Sequence, residues 1–189
     1  MKFQKIPFGQ LSIEFLSVVF AVLLALGLNS YKQSLDTRSE AKLIKESILL
    51  ECRTNYAKID STLSANQAFY DYIDSLVQLG PGEVNNVSFN YSFELLNASA
   101  WSIALNNNAV NYLDQESLLF AAEIYHTQEF YTDFTSSFYQ NLTEHITRMD
   151  EVPPYNTALS FYYSLNVMNP SANELQSKYL DFLEKYDTK

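Results

Sequence analysis

The sequence predicts an all-α protein, in which one N-terminal transmembrane helix continues into a long helix and an antiparallel bundle of about four to five helices. Three observations favour this fold class. Apolar residues recur at helical spacing along most of the chain, no alternating strand pattern of useful length occurs, and the 189 residues include only four glycines. We expect two regions: a tail and transmembrane anchor over residues 1–31, and a helical soluble domain over residues 32–189.

The anchor is the apolar stretch of residues 11–28. At 1.5 Å per residue it spans roughly 27 Å, close to the ~30 Å hydrocarbon core of a bilayer. No charged residue lies between Phe15 and Leu28, and polar and aromatic residues follow, as they do at a membrane boundary. This composition favours a transmembrane helix.

A cleaved signal peptide is the alternative interpretation. Lys2 and Lys5 provide a basic start, and residues 25–27 resemble a small-residue cleavage site. Glu14 inside the segment and helical patterning that continues past Leu28 favour the anchor instead.

One stripe of the anchor carries small and polar side chains and is the predicted transmembrane packing face. Small residues let a second helix approach closely, and a carboxylate in the bilayer is costly unless it is paired. The alternative is that this stripe has no packing role: Glu14 reaches the headgroups, and the small residues occur by chance. We expect contact with membrane lipid and with a membrane-protein partner or a second copy of the chain, through Glu14, Ser17, Ala21, Ala25 and Asn29.

Composition excludes several classes of function. A formal net charge of −10 argues against nucleic-acid binding and against tight docking on anionic headgroups. Cys52 is the single cysteine, so the chain has no internal disulfide and no thiolate metal cluster. We expect no cofactor.

The long first helix carries a seven-residue apolar repeat. We predict a solvated stalk between Leu35 and Lys45 and a packed seam beyond it, in which Asn66 sets the register. One row of the seam is Leu49, Tyr56, Leu63, Tyr70 and Val77, and the other is Cys52, Ile59 and Ile73.

Helix breakers divide the rest of the chain. Gly80-Pro81-Gly82 ends the first helix, Asn106-Asn107-Asn108 ends the second, and Asp114 caps the third. Proline marks the two remaining predicted boundaries, at Val152-Pro153-Pro154 and at Asn169-Pro170. The predicted helices cover residues 32–79, 91–106, 114–150, 155–168 and 170–187.

Aromatic residues make up 15% of the chain, and most of them belong to the predicted core. Those left on the surface are candidates for a binding interface, because Trp and Tyr dominate such interfaces. Our candidate partner surface is Trp101 with Tyr125.

Three stretches resemble a group of uncharacterised bacterial single-pass inner-membrane proteins. They are residues 14–31, in which a Glu precedes an apolar run that closes with Ala-Leu, then Asn and an aromatic residue; residues 101–113, with a Trp, an Asn-containing turn and a Leu; and the Tyr-x-x-Gln helix at Tyr125 and Gln128. The resemblance implies a bacterial inner-membrane protein whose helical body lies outside the cytoplasm. It implies no activity.

Lysine and arginine counts conflict with that orientation. Two lysines precede the anchor, whereas four basic residues follow it: Lys32, Arg38, Lys42 and Lys45. By the positive-inside rule, the larger number after the anchor favours a cytoplasmic body. From composition and the resemblance we nevertheless expect a cytoplasmic N-terminus and a periplasmic body.

Catalytic motifs are scarce. Glu123-x-x-His126 has the spacing of a di-iron ligand pair, but such sites need a second copy, and His145 has Leu142 three residues before it. No Gly-x-Ser-x-Gly, phosphate-binding glycine loop or His-Glu-x-x-His occurs.

Our first hypothesis is therefore a non-enzymatic, membrane-anchored interaction or accessory protein, a small subunit or partner of a larger membrane assembly. The alternative is an extracytoplasmic ligand-sensing bundle, which a pocket between helices lined by Tyr and Trp would favour. A metal-dependent enzyme using Glu123 and His126 is a third, weaker hypothesis.

Overall fold

The computed structural model describes residues 8–147 and 152–187, which form four α-helices and one 3-10 helix. Within these two ranges no strand occurs, so the all-α bundle is confirmed. The elements are α1 (Phe8–Leu79), α2 (Ser99–Leu105), the 3-10 helix (Asn108–Tyr112), α3 (Gln115–Thr147) and α4 (Pro154–Tyr186).

α1 is one uninterrupted helix of 72 residues, about 108 Å long at 1.5 Å per residue. Neither glycine nor proline occurs between Gly27 and Gly80, so nothing local ends the helix earlier. It stops at the predicted breakers, where Gly80 and Gly82 have φ of +88° and +97°. These left-handed conformations are accessible to glycine and costly for other residues.

The packed face of α1 is wider than the predicted seam. The predicted positions Cys52, Ile59, Asn66 and Ile73 are all at most 5% exposed. A further row is buried beside them, because α4, the 3-10 helix and the segment before α2 all pack on α1, whereas a two-helix seam covers only a narrow stripe. That further row is Asn55, Thr62, Phe69 and Leu76.

The predicted stalk, from Leu35 to Lys45, extends too far toward the C-terminal end of α1. Ala41 and Ile44 are buried, and Lys45 lies over the ring of Tyr186 at 5.0 Å and contacts Asp114 at 3.4 Å. The bundle therefore begins at Ala41, because the 3-10 helix and the end of α4 pack lower on α1 than expected.

The second helix is much shorter than the predicted 91–106. Residues 83–98 are not helical, and α2 starts only at Ser99. This segment runs back along α1, where Asn66 bonds both backbone groups of Ser92 and Asn55 bonds both of Asn97. Since these side chains satisfy the backbone, the segment needs no helix to bury its polar groups.

α4 is a single helix where two were predicted, and Pro170 lies inside it. An interior proline costs about 3 kcal/mol or more. The helix nevertheless keeps one buried face on both sides of the proline, and each fully buried large side chain contributes roughly 1.5–3 kcal/mol, which outweighs that cost. This face is Phe161, Leu165, Met168, Ala172, Leu175, Tyr179 and Phe182.

Contacts along the bundle give the helix directions. α4 is antiparallel to α1, since Tyr70 bonds Asn166 near the top and Arg53 pairs with Asp187 near the bottom. α3 runs in the same direction as α1. Residues 83–98, the extended segment, have already carried the chain back along α1 before α3 begins. It begins after Asp114, which accepts the backbone N–H of Ser117 at 2.7 Å, the predicted cap. The predicted limit of this helix at 148–150 and residues 1–7 of the tail lie outside the described residues.

Candidate functional surfaces

The apolar segment of α1 stands clear of the bundle. Its large side chains between residues 13 and 28 are all exposed, from 37% at Val19 to 70% at Ile13. α1 is the one helix, among those the structure describes, that is long and apolar enough to cross a membrane. The described part of the body does not cover this surface, so lipid or another helix can contact it.

The five predicted packing residues lie on one side of that segment. At about 100° per residue they fall within a sector roughly 120° wide. The Ser17 hydroxyl donates to the Glu14 backbone carbonyl at 2.9 Å. Which of lipid or protein covers this side stays a prediction. The structure places on it Glu14, Ser17, Ala21, Ala25 and Asn29, all exposed.

The second candidate surface is a groove of about 430 Å³ on the body, which we call the Trp101 groove. Trp101 on α2 stacks on Tyr125 on α3, with ring centroids 5.2 Å apart and an interplanar angle of 6°. Tyr125 is 5% exposed and Trp101 is half-buried, so Trp101 presents the accessible ring and Tyr125 supports it from beneath. Other side chains that line the groove include Leu96, His126, Glu129 and Asp133.

Beneath the groove, Glu51 joins three helices. The Tyr125 hydroxyl donates to its Oε1 at 2.6 Å, and the Ala100 backbone N–H donates to its Oε2 at 3.0 Å. Glu51 is 9% exposed. Burial, together with the neighbouring Cys52 and Glu51, raises the pKa of Tyr125, so its hydroxyl stays protonated and acts as a donor. The floor of the groove is thereby bonded directly to α1.

A second polar cluster lies one turn further along α1. Gln128 donates to the Asn97 carbonyl at 2.9 Å and accepts from the Tyr179 hydroxyl at 2.5 Å and from Asn55 at 3.2 Å. Asn55, Gln128 and Tyr179 are each at most 4% exposed. These groups satisfy one another, so the cluster holds α1, α3 and α4 together with the extended segment.

Sequence reasoning did not single out Glu51, Asn55 or Gln128 as interacting groups. A usable signal existed for Gln128, which belongs to the Tyr-x-x-Gln motif with Tyr125. Glu51 and Asn55 are buried on α1, but only the position of the extended segment and the start of α2 shows why polar groups are needed there.

The metal hypothesis lacks ligands. Glu123 accepts from Lys178 at 2.8 Å, and His126 is exposed on the rim of the groove. No set of three His, Cys, Asp or Glu side chains close enough to hold a metal ion occurs in the described part of the chain. Glu123 and His126 therefore have no third ligand there.

Cys52 is fully buried in the core. Burial raises the pKa of its thiol to about 12, with the neighbouring Glu51 carboxylate acting in the same direction and the Tyr125 hydroxyl against it. A thiol with so high a pKa is a poor nucleophile at neutral pH, as expected of a packing residue.

Comparisons with known proteins add no relative. No family model matches the chain, and neither do any curated protein or any solved structure.

Proposed function

We propose that the protein is a non-enzymatic, membrane-anchored interaction or accessory protein. Its span crosses a bacterial inner membrane once, with the N-terminus in the cytoplasm and the bundle in the periplasm. The side of the span that carries Glu14, Ser17, Ala21, Ala25 and Asn29 packs against a larger membrane protein or a second copy of the chain.

One observation carries this proposal. The large apolar side chains over 13–28 are exposed, while the same helix contributes the core of the bundle from Ala41 onward. A soluble protein rarely leaves so long an apolar surface uncovered, so this surface indicates a lipid or protein environment. Because the helix does not break between span and body, the body is held by a helical rod and not by a flexible linker.

The experiment compares two double variants of the intact chain. Ala21→Leu with Ala25→Leu adds bulk to the small-residue side. Val19→Leu with Leu23→Ile is the control, because it exchanges apolar side chains on the opposite side of the helix. Each protein is purified from membranes in a mild detergent, and its oligomeric state and co-purifying proteins are identified by mass spectrometry. We expect the first variant to lose its associated chain and the second to keep it.

Two results would contradict the proposal. Association unchanged in the Ala21→Leu, Ala25→Leu variant would remove the packing side. Release of the intact chain from membranes by alkaline carbonate would remove the anchor. A reporter fused after residue 189, active only outside the cytoplasm, tests the orientation.

The Trp101 groove favours a second function, ligand sensing. It is a pocket between helices lined by Trp101 and Tyr125, and Tyr125 is bonded to Glu51 on the helix that continues into the span. A ligand that shifts the stacked rings would act directly on α1.

A further inference from the structure

We infer that the Trp101 groove binds a small organic cation that carries alkylammonium or guanidinium groups. The inference refines the ligand-sensing function, and it does not depend on how the span packs. Shape, aromatic surface and charge each contribute to it.

The shape and the ring suit a small organic molecule. A volume of about 430 Å³ lies in the range of small-molecule sites. Tyr125 covers one side of the Trp101 ring and fixes its plane, while the half-buried indole still lines the groove beside Leu96. Indole is the side chain with the strongest attraction for a cation over its face, and a held ring loses little freedom when a ligand binds.

The groove carries carboxylates that no described ion pair neutralises. Glu129 and Asp133 lie one turn apart on α3, both are exposed, and both line the groove. Neither has a cationic partner among the residues the structure covers. From Lys42 onward, the basic side chains that it describes are engaged elsewhere: Lys42 with Glu46, Lys45 with Asp114, Arg53 with Asp187, Lys178 with Glu123 and Glu174, Lys185 with Glu116, and Lys58 with the Leu95 carbonyl.

This combination selects among cations. A hard metal ion requires several oxygen ligands at short range, and the described residues provide no such group of three. An organic cation needs only an apolar surface for its carbon atoms and carboxylates for its charged ends. Trp101 and Leu96 provide the first, and Glu129 and Asp133 the second. An anion would meet two uncompensated carboxylates.

The test titrates the full-length protein in a neutral detergent with spermidine and with arginine, using isothermal calorimetry. Trp101 is the only tryptophan of the chain, so its fluorescence reports where binding occurs. We expect saturable heats with both cations and a matching fluorescence change. Sodium chloride at equal ionic strength and glutamate should produce neither.

Variants locate the site. Glu129→Gln with Asp133→Asn should weaken both cations at least tenfold, and Trp101→Leu should weaken them as well. The control Asp181→Asn with Glu184→Gln removes the same charge from exposed positions on α4 and should leave the affinity within twofold. Far-UV circular dichroism confirms that each variant keeps its helical content.

The alternatives give distinct results. No saturable heat with either cation, or equal weakening in the control variant, would overturn the inference. Binding of a blocked arginine peptide without binding of free arginine or spermidine would also overturn it, because the occupant would then be a protein segment. None of these outcomes bears on the span variants, so the interaction proposal stands or falls separately.

Discussion

Two asparagines on α1 direct the chain that follows it. Asn55 and Asn66 each use the amide to donate to a backbone carbonyl and to accept a backbone N–H of the extended segment, as a neighbouring strand would. An unpaired backbone group in such a place costs about as much as a lost hydrogen bond. Asn66 was expected to set the register of a helical seam; its partner in the structure is the backbone of Ser92, which lies outside any helix.

Replacement of Asn55 by Leu should therefore destabilise the protein. The change removes the hydrogen bonds of the buried Asn55 amide, to both backbone groups of Asn97 and to Gln128. Each hydrogen bond contributes about 0.5–1.5 kcal/mol net. We expect a loss of about 2 kcal/mol in the free energy of unfolding. Urea unfolding of the full chain in detergent, followed by circular dichroism, measures it. Asn90→Leu, at an exposed position, is the control, and equal midpoints for the two variants would contradict the expected role of Asn55.

Among the helices, breaking residues have opposite effects in α1 and α4: two glycines end α1 at its C-terminus, whereas a proline lies inside α4 without ending it. Gly80 and Gly82 end α1 in left-handed conformations, and the turn places Val84 and Val87 in the core outside any helix. Pro170 does not end α4, because the buried residues on either side pack on the same neighbours. A breaker thus ends a helix where a turn buries the residues that follow, and it is tolerated where the helix itself keeps them buried, as in α4.

Gly80→Ala gives an element-scale prediction. Its φ of +88° is strained for alanine, and left-handed backbone costs an ordinary residue about 1–2 kcal/mol. We expect a loss of about 1 kcal/mol and a lower melting temperature in thermal unfolding. Gly27→Ala is the matched control, because Gly27 is helical and a Cβ there has nothing within 4 Å. A Gly80 variant as stable as the Gly27 variant would show that the turn is not strained.

For the whole molecule, the buried polar groups predict sensitivity to alkaline pH. Burial raises the pKa of the Cys52 thiol from 9.0 to about 12 and also raises the pKa of the Tyr125 and Tyr179 hydroxyls. These groups are neutral when protonated, so a raised folded-state pKa stabilises the fold below the unfolded pKa. As pH rises above about 9, the unfolded chain releases these protons first, and stability falls.

Each such group lowers the free energy of unfolding by about 1.4 kcal/mol per pH unit once its unfolded form ionises. Urea unfolding of the full chain between pH 7 and 11 should show a midpoint that is level at first and declines above pH 9. Tyr125→Phe keeps the ring stack and removes one titrating hydroxyl, so its decline should be shallower. A wild-type midpoint unchanged up to pH 11 would contradict the burial of these groups.

Features that depend on neighbouring residues could be predicted without the structure. The apolar segment, the end of α1 at Gly80, the core row through Cys52 and Ile59, and the cap at Asp114 all follow from residues within a few positions of one another. Helical periodicity and turn chemistry act over that range, so one chain is sufficient to recognise them.

The remaining boundaries depend on contacts between distant parts of the chain, so they could not be predicted from local residues. The segment before α2 is extended because Asn55 and Asn66, far away in sequence, satisfy its backbone. The bundle reaches down to Ala41, α4 passes through Pro170, and Trp101 meets Tyr125 because elements distant in the chain pack together. Local preferences of about 1–3 kcal/mol yield to burial that several elements provide jointly.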